Sequence, residues 1–189
     1  VSPDEARNVI PLLSDIYDEP FSDSSQIPTY LVSKLAKSHV TVSLSGDAGD
    51  ELFCGYNRYL MVNNAWNKLS KIPKGIRRAA GNFLLNRNVD SLNSLYKNLE
   101  IFVPNRYKIS NFGDKMHKVA NKLDVSSSSE LYDGFISHWQ PNEILNQKRE
   151  SKIYDLENLN GLNFIDRMMH VDAKTYLPDD ILVKVDRAA

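Results

Sequence analysis

The residues in this chain best suited to chemistry are Ser45-Gly46-Asp47-Ala48-Gly49-Asp50-Glu51. Ser45 offers a hydroxyl, and Gly46 and Gly49 let the backbone approach a ligand closely. Asp47 and Asp50 supply carboxylates that could hold Mg²⁺ against a nucleotide phosphate, since that ion prefers hard oxygen ligands. A Ser-Gly-Asp turn before an acidic helix start is also a common way to end a strand with no ligand at all. Spacing alone does not choose between these readings.

The loop needs an element on each side to position it. Val40-Thr41-Val42-Ser43-Leu44 alternates apolar and polar residues and predicts a strand. The acidic pair Asp50-Glu51 and the stripe Leu52, Phe53, Tyr56, Tyr59, Leu60 and Trp66 predict a helix over 50–66. In open α/β sheets ligands bind beyond the carboxyl ends of strands, where loop N–H groups and a helix N-terminus favour an anion.

The flanking chain reads as helical. Ser2-Pro3-Asp4-Glu5 is a capping box with Pro at the first helical position, Pro11 predicts a kink, and a second helix runs from about Ser25 to Lys37. Further helices are expected over 76–85, 92–102, 109–123, 130–139 and 159–176, with a polar linker at 126–129. Leu177-Pro178-Asp179-Asp180 is a turn signal, the two aspartates capping the last helix. With one strand among many helices, the chain reads as a predominantly helical α/β fragment. Residues 1–66 form an α/β part with the acidic loop, and 67–189 a mainly helical extension.

Composition narrows the partners. The 189 residues are 42% hydrophobic, enough for one sizeable core, and 23 Lys plus Arg against 24 Asp plus Glu leave a formal net charge of −1. Neither nucleic acid nor a membrane is an expected partner. The single cysteine, Cys54, allows no internal disulfide, which suits a cytoplasmic location. The four histidines, His39, His117, His138 and His170, lack metal-ligand spacing. The chain opens without Met and stops directly after a patterned segment, which reads as an internal piece of a longer protein.

Read whole, Ser45 to Tyr59, SGDAGDELFCGYNRY, resembles the asparagine synthetase motif SGDGGDELFGGYxRY. Two more blocks are similar to that family and fall in its order: Tyr17-Asp18-Glu19-Pro20-Phe21 with Asp23-Ser24-Ser25 and Ile27-Pro28-Thr29-Tyr30, and Asp172 to Arg187, DAKTYLPDDILVKVDR. The stretch between Lys68 and Leu156 carries no matching motif. The resemblance implies part of a doubly wound, adenine nucleotide alpha hydrolase-like (ATP pyrophosphatase) domain. It further implies a ligase that uses ATP and Mg²⁺ to convert aspartate to asparagine through a β-aspartyl adenylate, with ammonia from glutamine. By motif Ser45 and Gly46 contact ATP, Asp47 sits at the acidic position linked to adenylate formation, and Asp50 helps hold Mg²⁺ and pyrophosphate. Glu51, Lys184 and Asp186 are expected nearby.

Two residues depart from the motif. Ala48 replaces a glycine, which matters only if that position needs a positive φ; Cys54 replaces another where close helix packing is expected, and reads as a small buried hydrophobe without chemistry. The family's SGGxDS loop and the nucleophilic cysteine of its glutaminase domain do not occur in these residues, so the segment alone is expected to be inactive. A homodimer is one assembly open to it. The alternatives are a related enzyme that amidates other carboxylates or closes β-lactam rings, and a non-catalytic helical binding module.

Overall fold

The computed structural model describes residues 1–104, 106, 108–137, 159 and 161–189. His138, the end of the helix expected over 130–139 and most of the run leading to Leu159 lie outside the described residues. The chain divides into two compact units, Val1–Tyr59 with Gly161–Ala189, and Leu60–Asn160. The division differs from a single break near residue 66, because the C-terminal residues belong with the N-terminal ones.

In the first unit, Ser2 caps α1 (Pro3–Val9): its side chain accepts from the Glu5 N–H at 3.2 Å, and Glu5 Oε2 accepts from the Ser2 N–H at 2.6 Å. Pro11 then tightens the chain into a 3-10 turn, Ile10–Leu12, before α2 (Leu13–Tyr17). Helix α3 spans Gln26–Lys37. The strand expected over 40–44 is not formed, and no strand is assigned among the described residues. Val42 and Leu44 are 78% and 98% exposed. A strand is held by ladder bonds to a neighbour, and no backbone ladder partner is present for this segment among the described residues.

The helix expected over 50–66 is also interrupted: α4 covers only Gly49–Leu52, and α5 (Asn57–Leu69) begins after a turn and crosses the boundary between the units. In the second unit α6 (Lys74–Leu85), α7 (Val89–Leu99), α8 (Phe112–Ala120) and α9 (Ser128–Ile136) follow the predicted order. Buried Arg77 donates to the carbonyls of Ile72, Leu123 and Val125, satisfying backbone acceptors that would otherwise be orphaned. Gly113 packs so tightly on α7 that a Cβ there would lie 2.4 Å from the Val89 carbonyl oxygen.

The chain returns to the first unit with α10 (Phe164–Lys174), capped by Asn163, and α11 (Val183–Ala188), with a π-helical segment, Leu177–Leu182, between them. Asp179 and Asp180 lie inside that segment and do not cap α11, whose start has no side-chain cap. Helix α11 packs on α2 and α3, and α10 on α4. Val9, Tyr17, Tyr59, Met168, Val171 and Ile181 are buried, together with the polar residues Glu51, Asp172 and Lys184.

Candidate active site

The two departures from the motif fall at the two positions with left-handed backbone around α4. Ala48 has φ 71° and Cys54 φ 58°. An L-residue there brings Cβ against its own backbone at a cost of about 1–2 kcal/mol, a cost glycine avoids. Cys54 is therefore a partly exposed turn residue, not a buried helical hydrophobe, and the close packing expected of it belongs to its neighbour. The Gly55 N–H donates to the Asp50 carbonyl at 2.9 Å, and a Cβ on Gly55 would sit 1.9 Å from Asp50 Oδ1 and 2.9 Å from its Cα. Ala48→Gly is expected to be neutral to stabilising by about 1 kcal/mol, because relief at positive φ exceeds the extra chain entropy. A thermal melt checks this, and a lowered Tm would contradict it.

A cavity of about 300 Å³ opens beside this turn. Gly46, Asp47, Asp50, Glu51 and Lys184 line it, so five of the seven residues expected at a site come together. Ser45 reaches it indirectly, donating to Asp47 Oδ2 at 2.5 Å. Asp186 is exposed on α11 and is not part of the lining. Gly46 and Gly49 have open space where a Cβ would stand. Since α4 is a single turn, it contributes little of the dipole that a long helix would have brought, and cationic help for an anion falls to the Lys184 ammonium.

Asp23 and Ser25 line the same cavity and hold that ammonium: Lys184 Nζ donates to Asp23 Oδ2 at 2.9 Å and to Ser25 Oγ at 2.7 Å. Burial works against the charged forms of both partners; at Asp23 the Ser25 hydrogen bonds, then Lys184, outweigh it, and at Lys184 the Asp23 bond and charge do. Lys184 is raised above the ordinary lysine value, and Asp23, also bonded by Ser25, is lowered below the ordinary carboxylate value.

Behind the loop, Tyr56 donates its hydroxyl to buried Glu51 at 2.6 Å. The Arg58 guanidinium lies 4.2 Å from the Tyr56 ring centroid and 4.9 Å from that of Tyr176, and pairs with buried Asp172, which also accepts from the Tyr59 hydroxyl at 2.6 Å. Burial, then the bond and charge of the partnering carboxylate, raise both Tyr56 and Tyr59 well above the ordinary tyrosine value, so both hydroxyls stay protonated donors.

Sequence reasoning passed over Asp23, Ser25, Arg58, Asp172 and Tyr176 as site residues. The available signal was their place inside the three matched blocks, each of which contributes to this cluster. Asp47 and Asp50 suit Mg²⁺ chemically as exposed oxygen donors, and among the described residues no three acidic, His or Cys groups form a ready-made metal cluster. A two-carboxylate site completed by substrate phosphates is the usual habit of this ion.

The geometry thus defines an oxygen-rich, mixed-charge cavity at the acidic loop. The asparagine synthase family matches residues 1–189, and the chain belongs to that family. It is 30% identical over 200 residues to asparagine synthetase (glutamine-hydrolyzing) 1 of Bacillus subtilis (strain 168), covering 99% of this chain and 27% of that protein. A protein of Methanocaldococcus jannaschii, provisionally named asparagine synthetase (glutamine-hydrolyzing) 2, is 41% identical over 98 residues, covering 51% of this chain and 18% of its own length. A similarly provisional namesake from Mycobacterium bovis is 29% identical over 201 residues, covering 99% and 26%. The chain spans about a quarter of the length of the B. subtilis and M. bovis relatives. No solved structure matches. Among the described residues no helix is long and apolar enough to cross a membrane.

Proposed function

We propose that this chain forms one wall of the ATP site in a ligase that converts aspartate to asparagine through a β-aspartyl adenylate, the ammonia coming from glutamine. The observation that carries this reading is the gathering of all three motif blocks of the family around one cavity. Asp23 and Ser25 come from the first block, Asp47, Asp50 and Tyr56 from the second, and Tyr176 and Lys184 from the third.

Attack of the aspartate side-chain carboxylate at the α-phosphorus releases pyrophosphate and builds negative charge on it. Mg²⁺, held by Asp50 with Asp47 beside it, would offset that charge. The Lys184 ammonium is the cationic side chain in the lining, and it is fixed before phosphate oxygens arrive. Gly46 and Gly49 leave the loop backbone open to close approach. Ser45 restrains the Asp47 carboxylate, so one of its oxygens is oriented by the loop itself. Glu51, bound to Tyr56, belongs to the support of the wall. These residues alone are expected to make no asparagine, since the family's SGGxDS loop is not among them.

The test is ATP–pyrophosphate exchange by the full-length gene product. Exchange that requires both aspartate and Mg²⁺ is the expected result. Exchange with a different carboxylate and none with aspartate would move the protein to a related amidating or ring-closing activity. No exchange with any carboxylate would sink the adenylate reading.

A further inference from the structure

Four hydrogen bonds among the described residues tie residues 17–25 to α11. The Tyr17 hydroxyl donates to the Lys184 carbonyl at 3.2 Å, Arg187 Nη1 pairs with Asp18 Oδ2 at 2.6 Å, and Lys184 Nζ binds Asp23 and Ser25. The first two attach α11 to α2 without constraining the tip of Lys184. The Asp18–Arg187 pair is a surface contact, its side chains 69% and 48% exposed; the Asp23–Lys184 pair is at 22% and 9%. Asp23 is itself preset, accepting from the Ser25 N–H at 2.8 Å and from the Ser25 hydroxyl at 2.5 Å.

We propose that Asp23 and Ser25 are positioning residues that hold the Lys184 ammonium in the cavity, ready for the phosphate of a nucleotide. The proposal rests on the ATP-site reading given above. A free lysine side chain samples many rotamers, and two fixed acceptors remove that freedom before a ligand binds. They use two of its three N–H donors and leave one for a phosphate oxygen. The same contact keeps the ammonium charged. Burial favours the neutral amine, while Asp23 on the 17–25 stretch, with Asp180 on the π-helical segment and Tyr176 just before it, favours the cation and prevails. Lys184 therefore stays protonated to a higher pH than an ordinary lysine, and Asp23 stays ionised to a lower pH than an ordinary aspartate. A mere staple between α11 and residues 17–25 would need neither property, since Tyr17 and the Asp18–Arg187 pair already supply it.

The experiment compares wild type, Asp23→Asn, Ser25→Ala and the staple control Asp18→Asn in the full-length gene product. The pH dependence of acylation at Lys184 by an amine-directed reagent is read by peptide mass spectrometry. Asp23→Asn is expected to shift that titration down by about 1–2 pH units, the effect of removing an opposite charge at contact distance. In ATP–pyrophosphate exchange, Asp23→Asn and Ser25→Ala are expected to raise KM for ATP about 10-fold, with Asp23→Asn also drawing the alkaline limb to lower pH. Asp18→Asn is expected to change neither readout. An unmoved Lys184 titration in Asp23→Asn, or equal effects from Asp18→Asn, would overturn the proposal. Wild-type protein that shows no exchange would count against the ligase reading alone, because the lysine titration decides the holding role without turnover.

Discussion

Asp50→Ala in the full-length gene product is expected to lower aspartate-dependent ATP–pyrophosphate exchange by about 10²- to 10³-fold, the usual consequence of deleting a preorganised group at developing charge. Its side chain is exposed in the cavity, and the bond its carbonyl accepts from the Gly55 N–H survives the substitution. Folding should therefore be spared while chemistry is lost. The deficit should also appear as a raised Mg²⁺ requirement, because a carboxylate ligand has been removed. Exchange within about threefold of wild type, at unchanged Mg²⁺ dependence, would remove Asp50 from the metal role; such a difference is below 1 kcal/mol of transition-state stabilisation.

The second large effect is expected at a residue with no chemistry of its own. Gly55→Ala puts a methyl group 1.9 Å from Asp50 Oδ1 and 2.9 Å from Asp50 Cα, so both the carboxylate and the backbone of α4 must move. Overpacking of this kind costs about 1–3 kcal/mol, and here the displaced atoms belong to the cavity wall. Exchange is expected to fall about as far as in Asp50→Ala, with a lowered Tm. A double-mutant cycle separates position from stability: in an Asp50→Ala background, Gly55→Ala should cost little further activity, because the two changes act on one group. Additive losses would mean that Gly55 acts elsewhere.

The ring of Arg58 contacts explains why the third block must be present for the second to be held in place. Asp172 is 1% exposed, and a charge so buried is tolerated only when paired. Arg58 and Tyr59 from the motif's last residues supply the partners, and the guanidinium in turn lies against Tyr56 and Tyr176. Glu51 reaches the same cluster through Tyr56, so the floor of the loop is built from both ends of the unit.

Much of this was legible in local sequence. The capping box at Ser2, the interruption at Pro11 and the helical order of the second unit depend on neighbours a few positions away, while Asp47, Asp50 and Lys184, which line one cavity, stood out through motifs read whole. Where reading failed, the deciding partner was absent from the local window. Residues 40–44 have strand periodicity but no ladder neighbour among the described residues. The stripe over 50–66 has helical periodicity, yet two left-handed residues and the Gly55 contact fold it back on Asp50. Asp186 looked equivalent to Lys184 two positions away, but on α11 the two point to different environments, one exposed and one buried.

The sequence by itself determined the chemical alphabet and the family: an acidic, glycine-bearing loop, a lysine in an apolar segment, and three blocks in a set order. Only the tertiary structure decided that these blocks form one unit while the unmatched stretch forms another, and that Asp23 and Ser25 are the partners of a lysine about 160 positions later. The physical reason is that buried charge needs a partner wherever in the chain one can be found, and no periodicity within a segment records which distant residue supplies it.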